Sequence, residues 1–97
     1  MLFHIHCVDK PGHQAVRAEN RDAHIAYLNA HDANLFTAGP MTTADGSGMI
    51  GSVLIMDFPD RPAAEAFAAG DPYAKAGLFE SVTISPWKRT FFNPPSE

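Results

Sequence analysis

Ile50-Gly51-Ser52-Val53-Leu54-Ile55-Met56-Asp57-Phe58 reads as a strand whose centre, Val53 to Met56, has no polar position. Successive side chains of a strand point to opposite faces, so a centre that is apolar throughout needs cover on both. One layer of helices covers only one face. Towards the N-terminus, Leu2 to Val8 alternates, with Phe3, Ile5 and Cys7 on one side and Leu2, His4, His6 and Val8 on the other, which is a strand pattern. Asp9-Lys10-Pro11-Gly12 is a turn cluster, and no Gly or Pro interrupts His13 to Asp32, which reads as a helix. At 100° per residue, Val16, Asn20, Ala23, His24, Tyr27, Leu28 and His31 share one arc, opposite Glu19, Asp22, Ala26 and Asn29. Leu35 to Pro40 is a short strand stopped by Gly39-Pro40, and Thr42 to Gly48 is a loop. After the apolar strand, Asp60 caps a second helix with Pro62 in its first turn, burying Ala63, Ala64, Phe67 and Ala68 and ending at Gly70. Asp71-Pro72 repeats the signature for a short helix to about Ala76, closed by Gly77. A last strand runs from about Phe79 to Phe91 with Pro86 at a bulge or edge, and Asn93 to Glu97 is a loose tail.

The order β-α-β-β-α-β is that of a ferredoxin-like α+β domain, residues 1–97, with an antiparallel sheet and both helices on one face. The doubly apolar strand then predicts that a second subunit covers the other face, giving a homodimer. Composition limits the function. With 45% hydrophobic and 19% charged residues the chain is globular, and no apolar run approaches the roughly 18 to 20 residues of a membrane span. Met1-Leu2-Phe3-His4 leads directly into the first strand without a basic flank or cleavage site, which predicts a cytoplasmic protein. A net charge of -4 argues against nucleic acid as a partner. Cys7 is the sole cysteine, so there is no disulfide framework, and its alternation with Phe3 and Ile5 makes it a buried small hydrophobe.

Several segments together resemble the YciI-related family. They are Arg21-Asp22-Ala23-His24 with Ile25 and Leu28, Thr37-Ala38-Gly39-Pro40, Gly51-Ser52-Val53-Leu54-Ile55, Asp71-Pro72-Tyr73 with Ala76-Gly77-Leu78, and Pro86-Trp87. The histidine-rich first strand departs from the common pattern. The resemblance implies a dimeric α+β barrel with a His and an Asp facing a shared pocket as a catalytic dyad, here His24 and Asp71. A chlorohydroxyhydroquinone dehydrochlorinase resembles the same family and muconolactone isomerases share its wider fold, but fold alone does not choose a reaction.

A histidine passes protons near neutral pH when a carboxylate fixes its tautomer, which is the role His24 and Asp71 would share. Each also has a plain structural explanation, His24 as a satisfied core histidine and Asp71 as a helix cap. Arg21, one turn before His24, suits the rim of a pocket for an anionic substrate or, equally, a solvated surface position. Gly39 and Pro40 let backbone approach a ligand or simply end a strand, and Tyr73 either donates its hydroxyl to a substrate oxygen or packs. His4 and His6 have the i, i+2 spacing of two metal ligands, but no carboxylates or thiolates accompany them, so no metal is expected. No Gly-x-Gly-x-x-Gly or phosphate loop is present, and no cofactor is expected. Two functions are consistent with these residues. One is a small cofactor-independent enzyme moving a proton, with or without elimination of a leaving group, on a small oxygen-bearing organic molecule. The other is a non-catalytic dimeric module binding a small ligand, with a structural His-Asp pair.

Overall fold

The computed structural model describes residues 1–95. Its elements run β1 (Leu2–Asp9), α1 (Gln14–Ala30), a 3-10 turn (Asp32–Asn34), β2 (Leu35–Thr42), β3 (Met49–Asp57), α2 (Arg61–Gly70), α3 (Pro72–Lys75) and β4 (Phe79–Trp87). The sheet order is β2-β3-β1-β4 with every neighbouring pair antiparallel, the ferredoxin-like topology expected.

Register assigns each face. Phe3, Ile5 and Cys7 stand opposite Met56, Leu54 and Ser52. Phe3, Ile5, Leu54 and Met56 are nearly fully buried with Phe58, Ala64 and Phe67, so this face carries the helices. Each of the Phe, Ile, Leu and Met side chains contributes about 1.5–3 kcal/mol by leaving water. The other face presents His4 opposite Ile55 and His6 opposite Val53. Ile55 is buried there, and a bulge between Leu35 and Thr37 brings Phe36 within 6.4 Å of the Trp87 ring at one end of that face. A close approach explains Gly51: a β-carbon there would collide with the Cys7 carbonyl and the Met41 methyl.

Several boundaries differ from expectation. β2 continues through Gly39 and Pro40 to Thr42, because β2 is an edge strand and an edge proline need not donate to a neighbour. β4 ends at Trp87 rather than Phe91, since Trp87 pairs with Leu2, the first residue of β1, and nothing lies beyond it to pair with. Ala23 is exposed, and Arg17 is the buried residue of α1. Of the expected tail over 93–97, residues 93–95 have no regular structure, and Ser96 and Glu97 lie outside the described residues.

Candidate active site

Asp71 sits where α2 meets α3, as C-cap of the first and N-cap of the second. Its Oδ1 accepts the Tyr73 backbone N–H at 2.9 Å and lies 2.9 Å from His24 Nδ1 on α1. A carboxylate only accepts, so Nδ1 is the protonated ring nitrogen, and in the neutral ring Nε2 is the nitrogen that carries the lone pair. Asp71 is buried, while His24 lines a cavity of about 200 Å³ on the helix side of the sheet. Pro72 in the first turn and Gly77, with φ +75°, just after the last bracket α3.

The Tyr73 ring stacks on the His24 imidazole, with centroids 4.0 Å apart and planes 15° from parallel. The Arg17 guanidinium lies 4.6 Å from the same ring. Arg17 is itself fixed: Nε donates to Asp9 Oδ2 at 2.7 Å, and Nη2 donates to Asp9 Oδ1 at 2.9 Å and to Ser52 Oγ at 3.0 Å. Burial opposes the charge on Arg17, but the Asp9 carboxylate outweighs it and holds the guanidinium above its ordinary value. Burial also raises the Tyr73 hydroxyl, with Arg17 and Arg21 offsetting part of the rise, so the phenol remains a donor at neutral pH.

The structure thus joins His24, Asp71 and Tyr73 directly and sets Arg21, Gly39 and Pro40 along the cavity wall, where Ile25, Leu28 and Leu54 provide apolar surface. His4 and His6 lie on the opposite face of the sheet, with ring centroids 6.2 Å apart, and do not reach this site. Among the described residues no three His, Cys, Asp or Glu side chains are grouped as a metal would need. Sequence reasoning did not single out Arg17, Asp9 or Ser52. The available signal was spacing: Arg17 precedes His24 by seven residues, which returns a helix to within about 20° of the same direction.

A family model described as YCII-related domain matches residues 1–88, from β1 to the end of β4. The chain belongs to this family. Within the YCII-related family it is 40% identical to protein YciI of Escherichia coli O6:H1 strain CFT073, across 94% of this chain and 100% of that one. An uncharacterized protein of Haemophilus influenzae is 35% identical over the same shares. Among solved structures, 5-chloro-2-hydroxyhydroquinone dehydrochlorinase from Burkholderia phenoliruptrix AC1100, in complex with 2,5-dihydroxybenzoquinone, matches with a TM-score of 0.86 and 39% identity, covering 91% of this chain and 94% of that one. The YCII-related fold described above is therefore shared with an enzyme whose structure holds a small ring compound.

Proposed function

We propose that this protein is a small cofactor-independent enzyme that moves a proton on a single-ring or similarly small oxygen-bearing molecule, by isomerisation or by elimination. The observation that carries the reading is the 2.9 Å contact between His24 Nδ1 and Asp71 Oδ1, with the imidazole lining a cavity. Nε2 takes a proton from a carbon made acidic by a neighbouring carbonyl or hydroxyl. The resulting imidazolium is stabilised by Asp71, and it returns the proton to another carbon or to a departing group. Tyr73 donates to the substrate oxygen, Arg21 faces it from the rim, and Gly39 and Pro40 form the opposing wall. A cavity of about 150 Å³ holds benzene, so about 200 Å³ suits one ring with small substituents. The dehydrochlorinase relative and its bound dihydroxybenzoquinone favour the same size and class of substrate.

The assembly in this reading is a homodimer joined through the face of His4, His6, Val53 and Ile55, acting in the cytoplasm, where a lone Cys7 is at home. The test is exchange of substrate hydrogen with solvent deuterium, followed by mass spectrometry on candidate hydroxylated ring compounds. His24→Ala is expected to lower exchange by about 10²–10⁴-fold and Asp71→Asn to lower it less, with the fold retained. A binding module is the second reading, favoured by the cap that Asp71 makes to the Tyr73 N–H. It requires ligand binding without exchange, and undiminished exchange in His24→Ala removes the dyad from the mechanism.

A further inference from the structure

His24 and Tyr27 are about one turn apart on the same side of α1, and each makes a polar contact with the stretch where α2 ends. The first contact is the one to Asp71. In the second, the Tyr27 hydroxyl donates to the Phe67 carbonyl oxygen at 2.8 Å. In a regular α-helix the Asp71 N–H would go to that carbonyl, but here it goes to Ala68 at 3.3 Å, which leaves the Phe67 oxygen to a side chain from another helix. The Tyr27 ring lies along the Phe67 ring, with centroids 5.1 Å apart, and Phe67 is buried in the core. Gly70 makes room for this approach, since a β-carbon there would collide with the Tyr27 hydroxyl. Burial pushes the Tyr27 phenol up and the Asp71 carboxylate adds to the rise, so the group stays a donor at neutral pH. Tyr27 does not line the cavity.

We infer that Tyr27 is a positioning residue for the His24–Asp71 pair, its hydroxyl anchoring the end of α2 to α1 so that the carboxylate stays against Nδ1. The two contacts of Asp71 Oδ1 show why an anchor is needed. The cap to the Tyr73 N–H spans two residues and travels with the junction of α2 and α3, whereas the contact with His24 spans 47 and is lost if the junction moves away from α1. The inference rests on the proton-transfer reading for its effect on turnover; the effect on the imidazole itself needs no reaction.

A free neutral imidazole favours the Nε2–H tautomer and the Asp71 carboxylate demands Nδ1–H, so the NMR shifts of the two His24 ring nitrogens at alkaline pH read how firmly the pair is held. The unaltered protein is expected to show Nδ1–H, and Nε2–H there overturns the inference. Tyr27→Phe removes only the hydroxyl. It is expected to raise the Nε2–H share and to lower kcat for substrate hydrogen exchange by about three- to tenfold with KM unchanged. Gly70→Ala, acting from the other side of the contact, is expected to do the same, and the two changes together no more than either alone. Asp60→Ala loosens the far end of α2, and is expected to lower the melting temperature while leaving the His24 tautomer unchanged. An unaltered tautomer in Tyr27→Phe overturns the inference, and so does an equal shift in Asp60→Ala, which would mean general loss of stability. A tautomer shift specific to Tyr27→Phe, in a protein whose His24→Ala variant still exchanges hydrogen, refutes the proton-transfer reading and leaves the anchor standing. Loss of exchange in His24→Ala together with an unaltered tautomer in Tyr27→Phe does the opposite.

Discussion

Two helical turns separate Arg17 from His24, about 10.5 Å along the axis of α1, and Tyr73, arriving from α3, has both side chains in contact with its ring. The imidazole therefore takes its direction from a carboxylate and from an aromatic surface, both supplied by residues 71 and 73. This is the kind of support that keeps a general base aimed. Cys7 lies nearby in the same electrostatic field with a different outcome. Burial, reinforced by the Asp71 and Asp9 carboxylates, pushes its thiol up to about 12. The neutral thiol is therefore expected to persist throughout the physiological range. Iodoacetamide at pH 8 should label Cys7 far more slowly in the folded protein than in denaturant, as read by mass spectrometry. Equal rates would mean that the thiol is neither buried nor held neutral.

At the scale of elements, the caps do much of the positioning. Asp60 Oδ1 accepts the Ala63 N–H at 3.0 Å at the start of α2, as Asp71 does for α3. Asp60→Ala is expected to cost about 1 kcal/mol, which for a chain of this size is a drop of about 4–8 °C in the melting temperature by calorimetry. The turn between β2 and β3 is organised by Asp45, which accepts from Thr43 Oγ1 and from the Ser47 N–H and hydroxyl. The Thr43 hydroxyl, followed by the two Ser47 donors, lowers its carboxyl from 3.8 to about 2. A carboxyl whose folded value is depressed stabilises the turn above its unfolded value, and that contribution is lost as pH falls towards about 2. An NMR titration of the Asp45 carboxyl should give its midpoint well below that of a free aspartate, and Thr43→Val should raise it.

At the scale of the whole molecule, the face opposite the helices sets the prediction. Val53 is half-buried and Ile55 is 5% exposed on that face, while Phe36 and Trp87 remain 42% and 38% exposed beside it. Apolar side chains of this size grouped on one sheet face favour a matching surface. Sedimentation equilibrium is expected to give about twice the chain mass of 10.5 kDa at micromolar concentration. Val53→Lys should shift it to the monomer. A monomer in the unaltered protein overturns the dimer.

Element types and their order were readable in the sequence because they depend on local patterns: alternation in Leu2 to Val8, the unbroken stretch before Asp32, and the Asp-x-Pro and Asp-Pro starts of α2 and α3. Those patterns, read with the family resemblance, also brought His24 and Asp71 forward as candidates. Strand ends were not readable, because the length of β4 depends on where β1 begins and the tolerance of Pro40 on β2 being an edge. Arg17 was hidden for a related reason. A charged residue on a helix belongs in water unless a partner is buried beside it, and its partners Asp9 and Ser52 are 8 and 35 residues away in the chain. The sequence by itself determined which side chains could form helices, strands and caps. Only the tertiary structure decided which of them share a cavity, because bringing distant groups within hydrogen-bond reach is a property of the packed sheet and helices and not of any local stretch.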